Sequence, residues 1–170
     1  MIFERLLFLF GEEGIARLSK ARVAVIGLGG VGGIAAISLA RSGVGSILIC
    51  DYDIIEETNI NRQVVASHST IGMYKTDVLY EMIKDINPQC EVIKITGKVN
   101  IDTLDNIDYL IDAIDDVKAK KELISHCISK NISFISSMGA AKKINPSKIT
   151  LTTLRKTSYD PIAKILRQHF

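Results

Sequence analysis

The stretch Gly27-Leu28-Gly29-Gly30-Val31-Gly32 limits what this chain can fold into more than any other. Its glycines at 27, 29 and 32 have G-x-G-x-x-G spacing and follow the apolar run Arg22-Val-Ala-Val-Ile26. A short β-branched run of that kind suits a buried parallel strand. Val31 to Arg41, rich in small residues, reads as the helix that follows. Ser46 to Cys50 reads as a second strand, closed by Asp51, which lies 19 residues beyond Gly32. Glycine permits the tight turn and lets a phosphate approach the backbone, while the helix start offers free N–H groups and a positive dipole end. An acid at that distance accepts both hydroxyls of a ribose. The glycines alone describe equally well a turn that only packs helix on sheet. Strand, helix and acid together favour a nucleotide-binding unit.

The alternation continues along the chain. Ile71 to Ile86 has helical spacing and stops before Asn87-Pro88. Glu91 to Ile95, Tyr109 to Ile114 and Ile132 to Ser136 read as strands, and Lys118 to Lys130 as a helix. Ile149 to Leu154 reads as one more strand, and Pro161 to Phe170 as a closing helix with proline near its start. The expected fold is α/β: a Rossmann-like, doubly wound, mostly parallel sheet with an N-terminal helix. On that first helix Phe3, Leu6, Leu7 and Phe10 form an apolar face expected to point inward, which leaves Arg5 as a surface charge.

Composition narrows the setting. The 170 residues show no repeat, low-complexity tract or linker, so a single domain over residues 1–170 is expected. Hydrophobic residues at 47% and charged residues at 24% are ordinary for a water-exposed globular protein. No apolar run approaches the ~20 residues of a membrane helix, so no membrane association is expected. The greasy start carries Glu4 and Arg5 and lacks a basic region and a small-residue cleavage site, which argues against a secretory leader. Cys50, Cys90 and Cys127 are odd in number and far apart, with no C-x-x-C pair. They suit a reduced, cytoplasmic location and no structural zinc. Charge is uneven: Lys142 to Phe170 holds seven basic residues against Asp160 alone, a net +6, which leaves −4 for the remainder of a chain of net +2. Such an end suits a polyanionic partner or, equally, a solvated lysine-rich helix.

NAD is the usual ligand of a G-x-G-x-x-G turn, but the next segment argues for ATP. Thr58-Asn-Ile-Asn-Arg62-Gln63 follows the ribose acid, and Lys75 opens the following helix. A triphosphate carries about four negative charges and needs cations, which Arg62 and Lys75 supply. Asp115 ends a later strand, at the edge where ligands bind in such sheets, and a carboxylate there can hold Mg²⁺ between phosphate oxygens. Taken singly, Arg62 and Lys75 fit a solvated face and Asp115 fits a helix cap. Taken together they favour ATP with Mg²⁺.

These residues also form a pattern. Gly-x-Gly-Gly-x-Gly at 27–32, Asp51-x-Asp53, Asn59-x-x-Arg62-Gln63, Lys75 and Asp112-Ala-Ile-Asp115 resemble the ubiquitin-activating-enzyme-like adenylating family. That family includes activators of the thiamine and molybdopterin sulfur carriers and joins AMP to a carboxylate. The resemblance implies an ATP site built from Gly27, Gly29, Gly30, Gly32, Asp51, Asp53, Asn59, Arg62, Gln63 and Lys75. Asp51 would hold the ribose, Asn59, Arg62 and Lys75 the phosphates, and Asp115 the metal. Phe3-Glu-Arg5 resembles the family's aromatic-x-Arg start, whose arginine completes the other subunit's site in a homodimer. Arg5, Arg62, Lys75 and Asp115 are therefore the expected catalytic set.

Arg41-Ser-Gly-Val-Gly45, Thr58 to Gln63, Ile86-Asn-Pro88, Ser136-Ser-Met-Gly-Ala140 and Lys156-Thr-x-x-Asp-Pro161 look like the tRNA threonylcarbamoyladenosine dehydratase branch. That branch implies a modified adenosine of tRNA as substrate, no catalytic thiol, and a use for the basic end. Gly33 and Ala141 depart from the commoner serine and glycine, and family members usually continue past Phe170, so the family's C-terminal part is expected to be missing. The competing expectations are an activator of a ubiquitin-like sulfur-carrier protein, an NAD module and a relative that binds without turnover.

Overall fold

The structure is a computed structural model and describes residues 2–170. After a 3-10 turn at Glu4–Leu6 come α1 (Leu7–Leu18), β1 (Arg22–Ile26), α2 (Gly30–Arg41) and β2 (Ser46–Asp51). Then follow α3 (Lys75–Ile86), β3 (Glu91–Thr96), β4 (Tyr109–Asp112), α4 (Val117–Lys130), β5 (Ser133–Ser136) and α5 (Pro161–Arg167). The five strands form one parallel sheet in the order β3-β2-β1-β4-β5. The Rossmann-like α/β expectation therefore holds.

The central strands are apolar because both faces are covered. All six residues of β2 are buried, as are the last four of β1. Alternation divides them between two cores. Val23, Val25, Ile47 and Ile49 pack on one face with Ala36 and Ala40 of α2 and Leu79 and Ile83 of α3. Ala24, Ile26, Leu48 and Leu110 pack on the other with Leu123 and Cys127 of α4. Among the described residues no helix is long and apolar enough to cross a membrane.

Several boundaries differ from the sequence reading. The helix expected from Ile71 starts at Lys75, because Gly72 takes φ 86° and the segment pairs back on Ile55 through Ile55 N–H to Met73 O and Gly72 N–H to Ile55 O, both 2.8 Å. β4 ends at Asp112 rather than Ile114, where the Ile114 N–H turns to the Asp112 carboxylate at 3.3 Å. Ile149 to Leu154 forms no strand: Ile149 and Leu151 are 81% and 85% exposed, and a 3-10 turn covers Leu154–Lys156. The first helix is kinked at Gly11 (φ 65°, ψ 177°), which only glycine adopts readily. Phe3, Leu6 and Leu7 are half-buried, but Phe10 is exposed, as are Phe8 and Leu9, so the expected inward face is only partly formed.

A cleft at the carboxyl edge of the sheet

The chain leaves β1 toward β2 and β3, then returns to place β4 on the other side of β1. Ligands bind at such a reversal, beyond the carboxyl ends of the strands. A cleft of about 550 Å³ opens there. It gathers Gly27, Gly29, Gly30, Asp51, Asp53, Asn59, Arg62, Gln63, Lys75 and Asp115, which is every expected site residue except Gly32 and Arg5.

Gly32 acts from behind. A Cβ on it would collide with the Gly27 carbonyl, and a Cβ on Gly27, which has φ 86°, would sit 2.8 Å from Ala113 O. The glycines thus let the turn close against the start of α2. That helix carries no side-chain cap, so its first N–H groups are available to an anion.

Asp51 is buried and organises the turn. Its Oδ2 accepts Leu28 N–H at 2.6 Å and its Oδ1 accepts Asp53 N–H at 2.8 Å. Each oxygen keeps a lone pair for a ribose hydroxyl. Gln63 is 7% exposed and its Oε1 has no hydrogen-bond partner. An orphaned polar atom in a cleft that also holds the open start of α2 fits a polar ligand such as a nucleotide.

The cations stand nearby. Lys75 Nζ, with its side chain 6% exposed, is 2.6 Å from Asp53 Oδ2. The Arg62 guanidinium is exposed and donates to Thr58 O and Asn61 Oδ1 at 2.8 and 2.9 Å. Asn59 is buried, and its side chain closes a capping box with Glu56. Asp116, not Asp115, caps α4 by accepting Lys118 and Ala119 N–H, which leaves Asp115 uncommitted to the helix. Among the described residues no cluster of three His, Cys, Asp or Glu is poised to hold a metal alone. A Mg²⁺ held by Asp115 would take its remaining ligands from phosphate and water.

The cleft is nonetheless more acidic than basic. Asp51, Asp53, Glu56, Asp115, Asp116 and Glu122 line it against Arg62, Lys75 and Lys98. The Tyr52 phenol registers this: Asp53 foremost, then slight burial, then Asp115, Asp51 and Asp116, push its pKa above the ordinary value. Cys50 also lines the cleft, but burial, aided by Asp51, pushes its thiol to about 11. It is no nucleophile at neutral pH.

Arg5 lies on the 3-10 turn before α1, exposed and outside the lining of its own chain's cleft. Sequence reasoning missed Lys120, a fully buried lysine on α4 bonded to Asp112. A signal existed, since Lys120 is in helical phase with Leu123, Ile124 and Cys127. It also missed the tie between Lys143 and Asp160 at 2.7 Å, which pairs one of the seven basic residues with the segment's single acid. Arg167 is tied as well, donating to Thr157 O at 2.8 Å. The basic segment is mostly irregular chain rather than the alternative lysine-rich helix, with Lys142 at φ 62°.

Comparisons with known proteins identify the family and the fold. A model of the ThiF family matches residues 3–158. The tRNA threonylcarbamoyladenosine dehydratase of Bacillus subtilis is 44% identical over 170 residues, covering 97% of this chain and 67% of the relative. That of Escherichia coli is 39% identical over 165 residues, covering 94% and 62%. The structure of Escherichia coli tRNA N6-threonylcarbamoyladenosine dehydratase in complex with ATP matches with a TM-score of 0.94 and 38% identity, over 98% of this chain and 71% of that one. The chain thus spans about two thirds of the length of these curated relatives.

Proposed function

Because this chain belongs to the ThiF family, we propose that it uses ATP to adenylate a carboxylate, that of the threonylcarbamoyl side chain on a modified adenosine in tRNA. The observation that carries the reading is the cleft itself, in a chain that follows a dehydratase solved with ATP over 98% of its length.

In this reading the Gly27–Gly32 turn and the start of α2 receive the phosphates, Asp51 takes the ribose and Gln63 gains the partner it lacks. Asn59, Arg62 and Lys75 bind phosphate oxygens, and Asp53 yields Lys75 to them. Asp115 holds Mg²⁺, which would neutralise phosphate charge that the acidic cleft otherwise repels. The substrate carboxylate attacks the α-phosphorus and pyrophosphate leaves. A nucleophile of the same side chain then attacks the acyl carbon and expels AMP, so the net change is loss of water. No thiol takes part, in keeping with three cysteines that are all buried. The protein works as a homodimer in which Arg5 completes the other subunit's site, in the cytoplasm, with the basic segment beyond Ala141 on the tRNA backbone.

ATP–pyrophosphate exchange and AMP release, run in parallel with modified tRNA, unmodified tRNA and a ubiquitin-like sulfur carrier, test this. Turnover is expected with modified tRNA alone. Turnover with the carrier and not with tRNA would move the protein to the sulfur-carrier activators.

A further inference from the structure

Lys120 on α4 and Asp112 at the end of β4 form an ion pair in which both side chains are 0% exposed, with Nζ 2.8 Å from Oδ2. The ammonium also donates to Ser137 O at 3.0 Å and to Ser136 Oγ at 3.3 Å. Ser136 Oγ–H donates to Asp112 Oδ2 at 2.6 Å, and Ile114 N–H donates to Asp112 Oδ1 at 3.3 Å. Every proton of the ammonium therefore has an acceptor.

What the network joins is specific. Ala113 to Asp115 leave β4 and line one part of the cleft, and Ser137 to Ala140 leave β5 and line another. Ser137 N–H to Asp112 O, at 2.8 Å, is the last ladder bond between the two strands. Lys120 lies where the arms diverge and bonds to the roots of both. The outer end of the second arm is secured separately, by Lys143 on Gly139 O and on Asp160 at 2.7 Å.

Stability alone gives little reason to keep such a pair. Stripping water from two charges costs about what their attraction returns, and an apolar pair of similar volume often serves as well or better. What charges add is direction: a lysine with three acceptors has one position.

We infer that Lys120 is a positioning residue, which holds the Asp115 arm and the Ser137–Ala140 arm in the mutual arrangement that adenylation needs. The part of this that concerns turnover rests on the adenylating reading above. The part that concerns the arms does not.

The test uses the full chain. Lys120→Met with Asp112→Leu removes both charges and keeps apolar bulk, and Ser136→Ala deletes a single hydroxyl. Amide hydrogen exchange, which needs no substrate, is measured beside ATP affinity and the rate of adenylate formation. The paired variant is expected to melt no lower than wild type and to bind ATP within about threefold of it. Its amides at 113–116 and 137–140 should exchange about tenfold faster or more, with the β1–β2 side unchanged. Adenylate formation should slow about 100-fold, the usual result of a small misplacement. Ser136→Ala should show the same pattern more weakly, and it decides the matter if the paired variant fails to fold. Exchange raised evenly through the molecule, exchange unchanged in both arms, or adenylate formation within about threefold of wild type would overturn the inference. If the wild type forms no adenylate on any acceptor, the proposed function fails, while the exchange pattern still decides whether Lys120 sets the arms.

Discussion

Lys75 reaches the cleft from a buried base, and its only partner among the described residues is the half-exposed Asp53. On the proposed reading, truncating it removes a cation from the ATP phosphates without stranding a buried acid, since the half-exposed Asp53 carboxylate can return to water. Lys75→Ala is therefore expected to fold, as checked by melting, and to lose ~2–4 kcal/mol of transition-state stabilisation in ATP–pyrophosphate exchange. The cysteines make a second residue-scale prediction. Burial is the main cause that raises all three thiols, Cys50 to about 11 from 9.0. A group raised in the folded state keeps its full contribution below its unfolded pKa and loses it as pH rises through the folded value. Stability should hold near neutrality and fall between about pH 9 and 11. Denaturant midpoints across that range check the slope. A thiol reagent at pH 8 should label the cysteines only as fast as the fold opens.

At the scale of elements, what was legible in the sequence depended on whether neighbours along the chain carried the signal. The β1, turn, α2 and β2 run was readable because the apolar strands, the glycines and Asp51 are all local. Apolar spacing alone starts helix α3 four residues too early, because it continues through Gly72 and the pairing of Ile55 with Met73, which override it. Ile149 to Leu154 has strand composition, but β-structure also needs a partner, and none of the described strands pairs with it. The phase of Lys120 with Leu123, Ile124 and Cys127 marks it as the inward lysine between Lys118 and Lys121, but its partner Asp112 lies on another element and only tertiary packing brings the two together. The first helix leaves an apolar surface, with Phe8 and Leu9 89% and 75% exposed, close in sequence to Arg5. If that surface seats a second copy, Arg5 acts across the interface. Mixing Arg5→Ala subunits with Lys75→Ala subunits should then restore activity to about a quarter of wild type, because half the dimers are mixed and each holds one intact site. No recovery after proven subunit exchange would refute action in trans.

For the whole molecule, charge is segregated by role. Lys142, Lys148 and Arg155 lie on exposed chain, whereas Lys143 is tied to Asp160 and Arg167 to Thr157. Neutralising the first three together should weaken tRNA binding and lower the slope of log affinity against log salt by about 1 for each phosphate no longer neutralised. ATP affinity should stay unchanged, since none of the three lines the cleft. A gel-shift series across salt concentrations reads the RNA effect and calorimetry the ATP one, and an unchanged slope would remove this segment from the RNA surface. The cleft has the opposite bias, six acids to three bases, with its buried lysine already matched to Asp53. An open basic hole would collect whatever small anions the surrounding solution holds. Here the surrounding carboxylates oppose free phosphate, sulfate or chloride even at the open start of α2, so the proposed adenylation should be little inhibited by millimolar inorganic anion, and a ligand gains entry by bringing its own counter-charge with it.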